Sequence, residues 1–198
     1  NIRKNKKHQS DLKKNNYKNI DLVIVNFYPF ENTIQKTKNF NKIIENIDIG
    51  GPTLVRAAAK NYKDITVITN PNQYQNLITE IQKNKGFTSL DYRKKLSEEA
   101  FTLTAYYDSK ISNYFNNHSN NIFPEKKLIF GNLIENLRYG ENPHQKAAIY
   151  SIDKSLELSQ LHGKKLSYNN YNDIFSALNL SKTLPKNVGT VIIKHANP

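Results

Sequence analysis

Residues 47–69 read IDIGGPTLVRAAAKNYKDITVIT and place a glycine turn, a helix and a strand in direct succession. Pro52 favours the first turn of a helix, and the alanine-rich stretch after it contains no helix breaker. The β-branched run at 64–69 predicts a buried strand. A helix that leads directly into such a strand is typical of an α/β fold.

The flanking sequence extends this pattern. Residues 21–27, DLVIVNF, predict a strand buried on both faces, which Pro29 ends because proline cannot continue the hydrogen-bond ladder. Helices are predicted near 39–46, over the apolar residues at helical spacing before Gly86, and over 89–117 as one helix or two. Strands and helices therefore alternate along the first half.

A break and a second α/β unit follow. The polar, asparagine-rich residues 116–127, which include a proline, predict a linker. Beyond it the sequence predicts strands at 127–132 and 146–152, a helix at 171–184 and a strand at 187–195. No internal repeat or heptad pattern is present.

Composition limits the function classes. The 198 residues include no cysteine, and the five histidines lack the spacing of metal ligands, so we predict no metal site. No apolar run approaches the ~18 residues of a membrane span. The net charge of +12 suits nucleic acid, anionic membranes and phosphorylated metabolites alike, or reflects an AT-rich genome. Because the chain has no methionine and stops directly after a strand-like run, we expect an internal fragment of a longer protein.

The glycine turn is the first candidate site. Gly50 and Gly51 let the backbone approach a ligand, and the N–H groups of the following helix could cradle a phosphate or carboxylate. An ordinary strand-to-helix turn is the alternative. Asp48 and Lys60 lie at opposite ends of this helix and would bracket a molecule. Tyr28 follows a strand end, where α/β sheets place ligands, or it seals the sheet edge.

One face of the same helix is cationic. Thr53, Arg56 and Lys60 lie on one side, while Leu54, Val55 and the alanines can pack against the sheet. Small alanines beside Lys60 favour close packing around it, and a lysine removed from water can move protons. A solvated basic face gives the same pattern.

The second half carries two further candidates. Residues 137–145, LRYGENPHQ, concentrate recognition groups; Arg138 suits a phosphate or carboxylate, and His144 adds an imidazole, with a plain polar turn as the alternative. Lys194 and His195 end the last predicted strand, where a histidine base could act beside an ammonium that stabilises negative charge.

Six segments, taken in order, resemble the bifunctional purine biosynthesis enzymes that join AICAR transformylase to IMP cyclohydrolase. The resemblance extends over nearly the whole chain, and the segments read DLVIVNFYPF, NIDIGGPTLVRAAAKN, AFTLTAYYDSKISNYF, LRYGENPHQKAAIY, LSYNNYND and IIKHANP. The resemblance implies a partial methylglyoxal-synthase-like domain followed by the start of a cytidine-deaminase-like α/β domain. We therefore expect the end of the cyclohydrolase domain at 1–118, a linker at 119–129 and the start of the transformylase domain at 130–198.

The resemblance also implies chemistry. Members of the family transfer a formyl group from 10-formyltetrahydrofolate, a co-substrate, to AICAR, giving FAICAR, and then close FAICAR to IMP with loss of water. They work as cytoplasmic homodimers on these small nucleotides. We expect no metal, nucleic acid or membrane partner.

The matching positions carry expected roles. Tyr28, Asp48 and Lys60 would line the cyclohydrolase site, with Lys60 in proton transfer. The transformylase site would use His195 as base and Lys194 as cation. Substrate contacts are expected from Val25, Asn26, Ile49, Gly50, Gly51, Arg138, Tyr139, His144 and Asn170, although an asparagine at position 170 commonly just caps a helix.

Two rival interpretations remain. The charge favours a basic nucleic-acid-binding module, and a truncated remnant without activity would keep the same motifs. Family members carry a Lys-Thr pair upstream of these segments and a Cys-Gly after the last, so we expect this chain alone to bind or catalyse poorly.

Overall fold

The computed structural model describes residues 3–119, 123–152 and 158–196. Positions 120–122 of the predicted linker and positions 197 and 198 of the last motif lie outside the described residues. The chain forms two compact units, Asn1–Leu128 and Ile129–Pro198. Among the described residues, no helix combines the length and the apolar character needed to cross a membrane.

The first unit alternates helices with two short strands. Its elements in chain order are α1 (Lys6–Lys14), β1 (Leu22–Ile24), α2 (Phe30–Lys36), α3 (Phe40–Glu45), α4 (Gly50–Lys60), β2 (Thr66–Ile68), α5 (Tyr74–Lys83) and α6 (Leu90–His118). The strands β1 and β2 pair in parallel, with Val23 opposite Val67. Parallel strands need a crossover connection, and of the elements in this crossover α4 packs on both strands, while α6 packs on β2. The predicted α/β arrangement is confirmed.

Small residues let α4 and α6 pack closely. Ala59 of α4 and Ala100 of α6 are fully buried, and the Ser97 hydroxyl donates a 2.8 Å hydrogen bond to the Ala59 carbonyl. The core on which they pack consists of Val55, Ala58, Val67, Ile68, Leu77 and Leu96. The predicted segment 89–117 is therefore one continuous helix.

Two expectations for the first unit are wrong. Strand β1 is covered on one face only, because no further strand or helix among the described residues covers Leu22 and Ile24. Leu54 does not pack against the sheet: it is 57% exposed because its position on α4 turns away from the buried side of Val55 and Ala59.

The second unit is smaller. Strands β3 (Asn132–Asn136) and β4 (Ala148–Ser151) pair antiparallel, and helix α7 spans Tyr168–Ser181. The β3–β4 register is irregular between Leu133 and Glu135.

Two strand predictions for the second unit are wrong. The strand predicted at 127–132 begins only at Asn132, where β4 supplies hydrogen-bond partners. Residues 190–193 form no strand, and Lys194 makes one isolated bridge. An apolar run becomes a strand only beside a partner, and no described strand pairs with 190–193.

Candidate functional site

The Asp48 carboxylate joins the end of β1 to the start of α4. Its Oδ1 accepts the Gly51 N–H at 2.8 Å, and its Oδ2 accepts the Tyr28 N–H at 3.2 Å. An acidic side chain at a helix N-terminus is stabilised by unpaired N–H groups and by the helix dipole. Asp48 therefore accepts an N–H of the first turn of α4 while holding the backbone that carries Tyr28.

Gly51 leaves room for this carboxylate. A Cβ at position 51 would lie 2.5 Å from Asp48 Oδ2, whereas a Cβ at Gly50 would meet nothing within 4 Å. The two glycines are thus not equivalent. The Gly51 N–H, which we expected to be open to a ligand anion, is instead bonded to the Asp48 carboxylate of the chain itself.

Tyr107 of α6 fixes the Asp48 main chain. Its hydroxyl accepts the Asp48 N–H at 2.8 Å, and its ring makes edge contacts with Phe27 and Phe30. Burial, and more weakly the nearby Asp48 carboxylate, raise the pKa of Tyr107, although the Asp48 N–H hydrogen bond opposes the shift. The phenol is therefore neutral at physiological pH.

A cleft of about 340 Å³ opens beside Tyr28 and Tyr107. It is bordered by Asn26 after β1 and by Thr69 and Asn70 after β2, so it lies at the carboxyl ends of both parallel strands. Open α/β sheets bind ligands at this edge, and the volume falls within the range of small-molecule sites.

An ion pair forms one wall of the cleft. Lys110 Nζ lies 2.8 Å from Glu31 Oε1, which also accepts a hydrogen bond from the Tyr106 hydroxyl at 3.0 Å. Burial lowers the pKa of Lys110, but the contacts with Glu31 and Tyr106 outweigh it and raise the pKa above its ordinary value. This wall carries a permanent ammonium at neutral pH.

The other predicted residues of the first unit lie either near the end of β1 and the start of α4 or at the opposite end of α4. The Val25 N–H continues the ladder to the Ile68 carbonyl, and the Asn26 amide donates to the Tyr74 hydroxyl at 3.4 Å. Ile49 is 74% exposed beside Gly50. Lys60, by contrast, ends α4, about 15 Å from its start by the rise of a helix.

The expectation of close packing around Lys60 is wrong. Lys60 is exposed, and so are Thr53 and Arg56 on the same face. Ala58 and Ala59 are buried because they face α6 and β2 rather than the lysine. The solvated basic face is thus the structure that forms.

In the second unit, the Arg138 guanidinium lies 4.8 Å from the ring centre of Tyr139 and donates to its hydroxyl at 3.2 Å. His144 is exposed in the turn that follows. The Asn170 side chain accepts from the Ser167 N–H at 3.0 Å in a capping box, so its commoner structural role is confirmed, while its predicted substrate contact stays a prediction.

The start of α7 brings both candidate segments of this unit together. Asn169 donates to the Glu141 carbonyl at 3.0 Å, and Asp173, one turn later, accepts the Ala196 N–H at 2.7 Å. Lys194 and His195 are exposed in the turn that this last bond holds. His195 and Ala196 both have left-handed backbone angles, with φ of 54° and 57°.

Two residues in supporting positions were not predicted from the sequence. Tyr107 and Asp173 stand inside motifs that carry the family resemblance. The sequence pattern around each of them is the same whether the residue supports a site or only packs within its helix. Two consecutive tyrosines in a helix, of which only one can face the core fully, are the one signal for Tyr107.

No group of three or more His, Asp or Glu side chains that could hold a metal ion occurs in the described ranges. The absence of a metal from the function stays a prediction.

Two parallel strands joined through helices, with a cleft at their carboxyl ends, define the first unit as an α/β domain. Sequence models of two families match the chain: an MGS-like domain at residues 2–53 and the AICARFT/IMPCHase bienzyme at residues 58–198. The second match covers more than half of the chain. The chain therefore belongs to the AICARFT/IMPCHase bienzyme family, and the resemblance and the α/β fold class are confirmed.

Curated relatives agree with this assignment. The bifunctional purine biosynthesis protein PurH of Bradyrhizobium diazoefficiens is 45% identical over the whole chain, which covers 38% of that protein. PurH of Lactobacillus acidophilus is 48% identical over 96% of the chain, again covering 38% of the relative. The chain thus spans little more than a third of these relatives' length.

A solved structure adds a likeness of fold. The crystal structure of ForH superposes with a TM-score of 0.51 at 26% identity, covering 58% of this chain and 60% of ForH.

The boundary between the compact units, after Leu128, falls inside the bienzyme match. The domain limits predicted at 1–118 and 130–198 therefore stay a prediction.

Proposed function

We propose that the chain takes part in the last two steps of IMP synthesis, as AICAR formyltransferase and IMP cyclohydrolase. The observation that carries this proposal is the 45% identity, along the entire chain, to a relative named as a bifunctional purine biosynthesis protein. In the first reaction the AICAR amine attacks the formyl carbon of 10-formyltetrahydrofolate and loses a proton; the bond from that carbon to N10 breaks, N10 takes up a proton, and FAICAR and tetrahydrofolate are released. In the second, FAICAR closes to IMP and releases water.

The first unit would hold the purine nucleotide of the cyclohydrolase step. The cleft lies at the carboxyl ends of β1 and β2 and is lined by Tyr28, whose N–H donates to the Asp48 carboxylate. One wall presents the Lys110 ammonium paired with the Glu31 carboxylate. Lys60, exposed at the far end of α4, keeps its proposed role in proton transfer because its position matches the proton-transfer lysine that the family resemblance implies.

The second unit would hold AICAR through Arg138 and Tyr139, whose guanidinium and phenol already stack. His195 would take the proton of the attacking amine, and Lys194 would stabilise the oxyanion. The family resemblance further favours a cytoplasmic homodimer that acts on small nucleotides and folate, without nucleic acid, membrane or metal as partners.

The test compares IMP with a short DNA duplex as ligands of this chain, by titration calorimetry at low and at high salt. The proposal expects IMP to bind at one site with modest salt dependence. A nucleic-acid module would instead bind the duplex, with an affinity that falls by orders of magnitude between 50 and 200 mM salt. Duplex binding without IMP binding would overturn the proposal.

Turnover separates the remaining rival. Incubation of the chain with FAICAR, followed by chromatographic detection of IMP, tests the cyclohydrolase step directly. Closure of FAICAR above the rate without protein would exclude the interpretation as an inactive remnant.

A further inference from the structure

Helix α6 holds α4 along its whole length. Ser97 binds the Ala59 carbonyl near the end of α4, the Arg56 guanidinium lies 3.5 Å from the Thr104 hydroxyl, and Tyr107 binds the Asp48 N–H just before α4 begins. The contacts run in opposite sequence order, so the two helices lie antiparallel. Tyr107 is the last of these contacts and the one beside the cleft.

Tyr107 joins the two loops that form the candidate site. Its hydroxyl fixes the main chain at Asp48, and its ring packs against Phe27 and Phe30, which flank Tyr28. Only 7% of Tyr107 is exposed, so the ring has little freedom to move. Asp48 in turn accepts the Tyr28 N–H. A single side chain therefore restrains both ends of the Asp48–Tyr28 contact.

We propose that Tyr107 is a positioning residue of the nucleotide site, which sets the Asp48 carboxylate and the Tyr28 backbone through its hydroxyl and its ring. The role rests on the proposed function, because that function makes Asp48 and Tyr28 site residues. Loss of the hydroxyl leaves the Asp48 N–H without its partner and lets the carboxylate turn away from Gly51 and Tyr28.

The chain supplies a matched control in the adjacent residue. The Tyr106 hydroxyl donates to Glu31 in the same cleft. Tyr107→Phe and Tyr106→Phe thus remove the same group from neighbouring positions of α6. Both substitutions keep the aromatic ring and its packing.

The experiment records the amide resonances of Tyr28, Asp48 and Gly51 by NMR in both variants, together with IMP affinity. Tyr107→Phe should shift all three resonances and raise the Kd for IMP about fivefold, the size expected for one hydrogen bond. Tyr106→Phe should leave the three resonances in place. A Tyr107→Phe variant that only unfolds at lower temperature, with the resonances and the Kd unchanged, overturns the proposal.

The wild-type chain gives an independent test. The Asp48 amide should exchange its hydrogen slowly, as a bonded and partly buried group does, and exchange as fast as that of an open loop overturns the proposal. If wild type binds no IMP but Tyr107→Phe still shifts the three resonances, the positioning role stands and the proposed function fails. If IMP binds equally to wild type and Tyr107→Phe, the positioning role fails and the proposed function stands.

Discussion

Asp48 in the first unit and His195 in the second are held in different ways. Asp48 is enclosed by three hydrogen bonds, from its own N–H to Tyr107 and from Gly51 and Tyr28 to its carboxylate. The turn at His195 is held to α7 by the hydrogen bond from the Ala196 N–H to Asp173. It also carries two left-handed residues, each of which costs roughly 1–2 kcal/mol.

The difference follows from the packing behind each site. Asp48 stands beside a helix of 29 residues that is buried against β2 and α4. The turn at His195 follows an apolar run that pairs with no described strand. The candidate side chain is therefore held in the first unit by a core and in the second by a local contact, so perturbations of the two units should differ in size.

The largest effect should come from the two apolar runs behind the sites. Ile68 is fully buried in β2, whereas Ile192 is 82% exposed. Ile68→Ala should lower the free energy of unfolding by about 2–5 kcal/mol, because it leaves a cavity in the core. Ile192→Ala should change it by less than about 0.5 kcal/mol. Urea denaturation measures both, and equal effects would remove the contrast.

A smaller effect is expected at the two glycines. Gly51→Ala places a methyl group where the Asp48 carboxylate lies and should cost about 2 kcal/mol, by loss of hydrogen bonds to a charged group. Gly50→Ala meets no atom and should stay within about 0.5 kcal/mol of wild type. Thermal unfolding of both variants checks this, and an equally harmless Gly51→Ala would show that Asp48 is not enclosed as described.

The second site should respond through Asp173. Asp173→Ala removes the acceptor of the Ala196 N–H and should free the turn, at a cost of about 1 kcal/mol. Backbone couplings of His195 and Ala196 in NMR spectra should then average toward extended values. Asp173→Asn keeps an acceptor and serves as the control. Couplings typical of left-handed residues that persist in Asp173→Ala would contradict the claim that Asp173 holds this turn.

The smallest effect concerns pH at the helix starts. Glu80 accepts both the N–H and the hydroxyl of Ser89, which caps α6, and these bonds lower the pKa of Glu80. Because the folded-state pKa of Glu80 is lowered, its ionised carboxylate stabilises the fold above the unfolded value near 4.5. This contribution is lost as pH falls through the folded-state pKa. Urea unfolding should thus show less acid sensitivity in Glu80→Gln than in wild type.

Helix α7 supplies the comparison for this pH effect. Its cap, Ser167, is bonded to the uncharged amide of Asn170. Amide resonances at Ser167 should therefore keep their positions in acid while those at Ser89 move. Equal movement at both caps would contradict the assignment to Glu80.

Local patterns predicted the helices well and the strands less well. The apolar period before Gly86 and the uninterrupted segment 89–117 specify α5 and α6, since helical hydrogen bonds are local. The runs 64–69 and 187–195 look alike in sequence, yet only the first has a strand partner. Strand formation depends on a partner strand that is distant in sequence, and a single apolar run carries no information about that partner.

The candidate site was predictable to a similar degree. Strand ends and glycine turns pointed to Tyr28, Asp48 and Gly51, which the structure brings together. The exposure of Lys60 depends on which side of α4 faces α6, and the support from Tyr107 crosses 59 residues of sequence. Neither follows from local spacing.

The central claim is that a purine nucleotide binds at the carboxyl edge of β1 beside Asp48. The most direct measurement is a residue-resolved NMR titration of the labelled chain with IMP. Shifts concentrated at residues 25–28 and 48–51 are the predicted result. Shifts spread over the surface lysines, or no shifts at saturating IMP, would contradict the claim.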